Sequence, residues 1–218
     1  MTSERSVVQS YDQAAAAYAA HLLHELDAKP LDRALLHSFS EEAKGPILEV
    51  GSGPGQVARF LWDQGADVRG SDLSPTMIEV ARHHHPTLEF HVADFRHLPF
   101  ETGSMAGMVA FYAIVHTPPE ELPRVFEEWG RVLRPQGLLL LSFHIGEGKT
   151  HVDELFGEPV DLDFQFHQTA SVKSALTQAG FELRAETLRA PYEGVEYPSY
   201  RAYLLARWSS ASTGSAPA

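Results

Sequence analysis

The chain has 218 residues, no cysteine, 44% hydrophobic side chains and a formal net charge of −12 from 17 basic and 29 acidic residues. That length supports one domain with a full core, and the missing cysteine removes disulfide scaffolds, thiolate metal sites and cysteine nucleophiles. With no Lys/Arg cluster to follow a phosphate backbone, no basic-then-apolar leader and no apolar run near the ~18 residues that span a bilayer, the expectation is a cytoplasmic protein without nucleic-acid or membrane partners.

Val7 to Leu26 reads as an alanine-rich helix in which Tyr11 and Tyr18, two turns apart, share a face. The run Ile47-Leu48-Glu49-Val50-Gly51-Ser52-Gly53-Pro54-Gly55 then carries an apolar strand into alternating glycines. Val57, Phe60 and Leu61 follow at helical spacing. A strand that breaks into glycines and then a helix brings backbone amides close to a ligand of nucleotide type. A dinucleotide fingerprint needs a further glycine where Gln56 stands, which argues against NAD.

Ala66 to Asp72 reads as a second strand, and its terminal acid lies 17 positions after Gly55, near the spacing of about 20 expected for a ribose-binding carboxylate. Asp67 is expected in solvent. Ser74 and Pro75 have the chemistry of an N-cap and a first helical residue. That helix ends at His83-His84-His85 before Pro86, and the three histidines are expected at the surface.

Leu88 to Val92 is a third strand, running into Ala93-Asp94-Phe95-Arg96. Met105 to Tyr112 is a fourth, followed by His116-Thr117-Pro118-Pro119 and a helix with Leu122, Val125, Phe126, Trp129, Val132 and Leu133 on one face. Leu138 to Phe143 is a fifth strand. His144 to Gln168 is a long connection whose aromatic and acidic side chains suit an ordered cap over a pocket. A helix near Ser171 to Ala179, capped by Gly180, precedes strands over Phe181–Leu188 and Arg201–Trp208. Residues 209–218 have the composition of a disordered tail.

Glu49-x-Gly51-x-Gly53-x-Gly55, the acid Asp72 with its following helix, Ala93-Asp94-Phe95 and Tyr11-Asp12-Gln13-Ala14-Ala15-Ala16-Ala17-Tyr18 together resemble class I S-adenosylmethionine (AdoMet) dependent methyltransferases of the small-molecule type. The resemblance is motif by motif over residues 45–143 and looser to Trp208. It implies an α/β fold, a doubly wound, seven-stranded, mostly parallel sheet with one of the last two strands antiparallel. It also implies a single domain over 1–208, with an N-terminal helical cap over 1–30 and an inserted substrate cap over 144–169.

In such a site Glu49 faces the methionine ammonium, Gly51, Ser52, Gly53 and Gly55 form the cofactor loop, and Asp72, followed by Leu73, holds the ribose hydroxyls. Asp94 and the Phe95 amide read the adenine, Met77 or Leu98 covers its ring, Phe111 lies at the strand ends, and Tyr11 and Tyr18 fold over AdoMet. The family often has an acid where this chain has Met105-Ala106. The Asn-Pro-Pro-Tyr signature of amide and nucleic-acid methylation is absent, so methylation of DNA adenine or protein glutamine is not expected.

The expected activity is methyl transfer from AdoMet to a small molecule, with the acceptor open among O, N, S and C atoms. His116 and His144, just beyond the fourth and fifth strands, are the candidate catalytic residues. An NAD-linked oxidoreductase and a non-catalytic AdoMet-binding partner protein are the alternatives. No metal is expected: His151, Glu154 and His167 have suitable donors but lack a tight ligand pair.

Overall fold

The computed structural model describes residues 4–209. In chain order these form α1 (Glu4–Leu22), a tight helical turn over Glu25–Ala28, α2 (Pro30–Glu42), β1 (Ile47–Val50), α3 (Gln56–Asp63), β2 (Val68–Asp72), α4 (Pro75–His84), β3 (Glu89–Val92) and β4 (Met105–Phe111). Then come α5 (Leu122–Val132), β5 (Leu133–His144), β6 (Lys149–Leu155), β7 (Glu158–Gln165), α6 (Thr169–Gln178), β8 (Phe181–Arg189) and β9 (Arg201–Trp208).

Seven strands make one sheet in the order β3-β2-β1-β4-β5-β9-β8. The pairings from β3 through β5 are parallel, and β9 is antiparallel to both β5 and β8. This is the expected doubly wound, mostly parallel sheet, with β9 as the reversed strand. β1 is buried along its whole length, as a strand covered on both faces must be. On one face Phe126 and Trp129 of α5 pack with Val172 of α6; on the other Phe39, Leu61 and Ile78 bring in α2, α3 and α4. Strand order reverses between β1 and β4, which opens a crevice beyond their carboxyl ends.

Several local signals act as their chemistry dictates. The Ser74 hydroxyl caps α4 by accepting from the Met77 amide at 3.0 Å, with Pro75 at the first position. The apolar stripe of α5 is buried as its spacing requires.

The sequence reading differs from the structure at several places, among them β5, which begins at Leu133 rather than Leu138 and takes Leu133 from the preceding helix. The first helix ends at Leu22, not Leu26, and a separate helix, α2, follows, with Pro30 at its start and Leu36 and Phe39 buried. His144 to Gln168 is ordered largely as the β6–β7 hairpin, whose two turn residues, Phe156 and Gly157, have φ of 53° and 84°. Positive φ at both central residues suits a primed hairpin turn, whose twist matches its strands. Finally, His85 is buried rather than at the surface, its ring 6.3 Å from that of Phe90.

The hairpin lies against α1. Ser10 Oγ accepts from the Asp161 amide at 3.0 Å, and Ser6 Oγ donates to the Asp161 carboxylate at 2.6 Å. Among the described residues no helix is long and apolar enough to cross a membrane. Of the tail expected over 209–218, Ser209 donates to the Gly180 carbonyl, and the rest lies outside the described residues.

Candidate active site

A cavity of about 890 Å³ lies at the carboxyl ends of the central strands, walled by α1, the hairpin and the segment between β8 and β9. Its floor is the glycine loop. Gly51 and Gly53 have φ of 65° and 50°, and a Cβ on Gly51 would stand 2.9 Å from Ala113 Cβ. Only glycine takes both conformations without strain. Gly55, expected among the cofactor contacts, stands outside the lining: its φ is 86°, and an added Cβ would meet the Phe90 ring at 2.6 Å. It serves the packing beneath the loop.

Asp72 ends β2 in the cavity wall, where its carboxylate accepts from the Gly53 and Ser74 amides, each at 2.9 Å. Burial raises its pKa, and those amide bonds oppose the rise. Asp67 is largely exposed, 3.8 Å from Arg69. Leu73, Phe95 and Phe111 line the cavity, as does Met77, whereas Leu98 is packed into the core beneath. Asp94 lines it too, gripped by Arg96 Nε at 2.9 and 3.1 Å.

At the other end of the glycine loop, Glu49 is buried and accepts from the Ala58 amide at 2.7 Å; desolvation pushes its carboxyl well above the usual range. Ser52 Oγ and Gln56 Oε1 are buried without a hydrogen-bond partner among the described residues, and both residues line the cavity. Gln56 Nε2 donates to Glu25 at 2.8 Å, which fixes the amide so that Oε1 is the free acceptor. Gln56 thus does more than displace a dinucleotide glycine. Its position as the first residue of α3 was the available signal.

The two candidate histidines have different environments. His116 Nδ1 lies 2.8 Å from the Asp163 carbonyl, which can only accept, so Nδ1 carries the proton. Nε2 then accepts from the Tyr11 hydroxyl at 2.8 Å. Burial lowers the His116 pKa, so the ring is neutral at pH 7, and burial raises that of Tyr11. Tyr11 and Tyr18 both line the cavity, ring centres 5.9 Å apart and edge to face. His144 lies 2.7 Å from Ser199 Oγ, and burial, reinforced by Arg201, pushes it down to about 4. So weak a base is a poor proton acceptor.

Beside His144 sits a cluster of charges with no local sequence pattern. Arg189 donates to both Glu196 oxygens at 2.6 and 2.9 Å and to Asp32 at 2.9 Å. Lys29 pairs with Glu25 and, at 3.2 Å, with Glu196; Arg201 lies 3.2 Å from the same carboxylate. Tyr203 donates to Asp32 at 2.8 Å and so accepts from Arg189 and Tyr112, both at 3.1 Å.

The three residues weighed as metal ligands are not brought together. His167 Nε2 is turned to the Ile114 carbonyl at 3.2 Å, while His151 meets Asp163 at 3.1 Å. Among the described residues no group of three His, Asp or Glu side chains could hold a metal ion.

Residues 47–137 match the family model described as a methyltransferase domain. A malonyl-[acyl-carrier protein] O-methyltransferase from Serratia marcescens is 27% identical over 140 residues, 64% of this chain and 53% of the relative. A demethylmenaquinone methyltransferase from Chlorobaculum parvum is 35% identical over 97 residues, 44% of this chain and 39% of the relative. The chain thus spans about a third to a half of the length of several curated relatives it matches. A SAM-dependent methyltransferase structure from Methanosarcina mazei has the same fold, with a TM-score of 0.72 at 18% identity, covering 80% of this chain and 97% of its own. The glycine loop, the acid ending β2, the strand order with its reversed β9 and the match over residues 47–137 agree: residues 47–137 belong to the methyltransferase-domain family, within a chain that has the fold of the AdoMet-dependent methyltransferases.

Proposed function

We propose that this protein transfers a methyl group from AdoMet to a small-molecule acceptor, with His116 taking the acceptor's proton by way of Tyr11. The observation that carries this reading is the chain Tyr11 hydroxyl, His116 Nε2, His116 Nδ1, Asp163 carbonyl, with links of 2.8 Å, in the wall of the cavity that the glycine loop floors.

The residues fit the cofactor. Asp72 presents a carboxylate for the ribose hydroxyls, and Asp94 with the Phe95 amide stands where adenine is expected. Gln56 Oε1, an orphaned acceptor in the cavity wall, suits the methionine ammonium. When bound, AdoMet supplies a methyl group on a sulfonium: its C–S bond breaks with the electron pair left on sulfur as the acceptor atom bonds the carbon.

The protein supplies alignment and a proton path. Effective molarities of about 10⁵ to 10⁸ M for well-oriented reactants make alignment the larger contribution. Tyr11 accepts the acceptor's proton while giving its own to Nε2, and the Asp163 carbonyl supports the imidazolium that results. α1 and the hairpin exclude water from the cavity. A small acceptor accords with these walls and with the relative named for demethylmenaquinone.

Calorimetry is expected to show S-adenosylhomocysteine binding and no NADH binding; tight NADH binding with no heat from S-adenosylhomocysteine would sink the assignment. Incubation with methyl-labelled AdoMet and a small-molecule extract is expected to yield labelled products. Cofactor binding without label transfer would favour the non-catalytic partner.

Asp72→Ala is expected to weaken S-adenosylhomocysteine binding by about 1.5 to 3 kcal/mol, the worth of a hydrogen bond to a charged group. Asp67→Ala should leave it unchanged. Equal losses in the two variants would remove Asp72 from the ribose contact.

A further inference from the structure

We infer that the acceptor is an uncharged, hydroxylated aromatic ring, methylated on its hydroxyl oxygen, and that it lies among the rings at the β4–β5 end of the cavity; this rests on the methyl-transfer reading above.

Two aromatic groups line that end. Tyr112 and His144 lie 4.9 Å apart and within 33° of parallel, with Tyr197 6.1 Å from His144. His116 and Phe164 form the other group at 4.9 Å. Ring faces and edges of this kind favour a flat π-system over a flexible aliphatic chain, by offset or edge-to-face contact.

The charges at this end are already neutralised among themselves. Lys29 is held by Glu25 and Glu196, and Arg201 lies against Glu196 while donating to the carbonyls of Ser199 and Tyr197. Behind them Arg189 joins Glu196 to Asp32, so three cations face three carboxylates. Asp163 is held by Lys149 at 2.6 Å. Among the described residues at this end, a carboxylate or ammonium on the acceptor would be desolvated without a counter-ion or would have to break one of these pairs. A neutral ring incurs neither cost.

The proton path fixes the reacting group. A hydroxyl proton passes to Tyr11 as the Tyr11 proton passes to His116 Nε2, the oxygen bonds the methyl carbon, and the sulfonium leaves as a neutral thioether. The positive charge ends on the imidazole, which later releases its proton to solvent.

Three probes of one shape test the idea on the full chain saturated with S-adenosylhomocysteine: 2-naphthol, 2-naphthoate and protonated 2-naphthylmethylamine, titrated by fluorescence at pH 7. The expected result is that 2-naphthol binds at least ten-fold more tightly than either charged analogue and yields 2-methoxynaphthalene once AdoMet replaces S-adenosylhomocysteine. Tyr197→Ser, a change at a residue 56% exposed, should weaken 2-naphthol at least five-fold while leaving S-adenosylhomocysteine affinity and the melting temperature unchanged. Tighter binding of 2-naphthoate or the amine, equal binding of all three, or no saturable binding of 2-naphthol to the S-adenosylhomocysteine complex would overturn the inference. Failure of the methyl-transfer reading looks different: 2-naphthol binds, but no label moves from AdoMet to it or to any extract component.

Discussion

Replacing His116 with alanine is expected to lower turnover by about 10² to 10⁴, the usual worth of a positioned base, with S-adenosylhomocysteine affinity nearly unchanged. His116 touches the cavity through Nε2 and Tyr11, whereas the glycine loop, Asp72 and Asp94 lie elsewhere in its wall. Tyr11→Phe removes the hydroxyl that links acceptor to imidazole and should lose turnover comparably. The double variant should be little worse than either single one, because residues that act as a unit are not additive. His116→Asn can orient an acceptor but cannot take its proton, so it should resemble the alanine variant. Because burial lowers the His116 pKa, its neutral form persists to lower pH than that of a free imidazole. The acid limb of the turnover profile should therefore lie below about 6.5. Near-wild-type turnover in both His116 variants would leave this histidine a structural part.

Glu196→Gln should destabilise the protein by about 3 to 5 kcal/mol, since it leaves buried cations without their counter-ion. Arg189, Lys29 and Arg201 all converge on this carboxylate, whose side chain is 2% exposed. For a domain of this size that corresponds to a fall in Tm of about 6 to 20 °C, measurable by scanning calorimetry. Burial opposes ionisation of Glu196, but hydrogen bonds from Arg189 and the Tyr192 amide, with Lys29 and Arg201, outweigh it and push the carboxyl down to about 2. A carboxyl with a depressed folded pKa contributes stability that is full above its ordinary value of 4.5 and lost as pH falls from there toward about 2. Asp32 moves the other way, its burial prevailing over Tyr203 and Arg189. The pH dependence of the difference between wild type and Glu196→Gln isolates the Glu196 contribution. An unchanged Tm would mean that the cluster contributes no net stability.

What could be read from the chain was what local chemistry encodes. The glycine loop, the acid at the end of β2, the Ser74 cap and the stripe of α5 each lie within a few residues of one another, and each stands in the structure where its pattern placed it. The Phe156-Gly157 turn was also legible in principle: an aromatic and a glycine between two strand-forming runs. α2 had its own signals in Pro30, Leu36 and Phe39. The charge cluster had none, because Asp32 meets Arg189 across 157 positions and Tyr203 across 171. Nor could spacing show that Tyr11 would bond His116, 105 residues away. Gly55 packs against Phe90, which β3 brings in from well beyond the glycine loop, a contact the loop's own spacing does not encode; His85 is covered by the same ring, which follows it by only a few residues in the chain.

The reversed strand constrains the order in which a nascent chain can assemble. β8 emerges first, yet its sheet partner is β9, and β9 fills the slot between it and β5. β1 through β5 can pair as soon as they are made, so the nucleotide half of the crevice can form while the remainder is still being synthesised. Tyr197 and Glu196 lie between the two late strands, and Arg201 begins the second. The ring-lined end therefore closes last, and until then the edges of β5 and β8 are open to pairing with another chain.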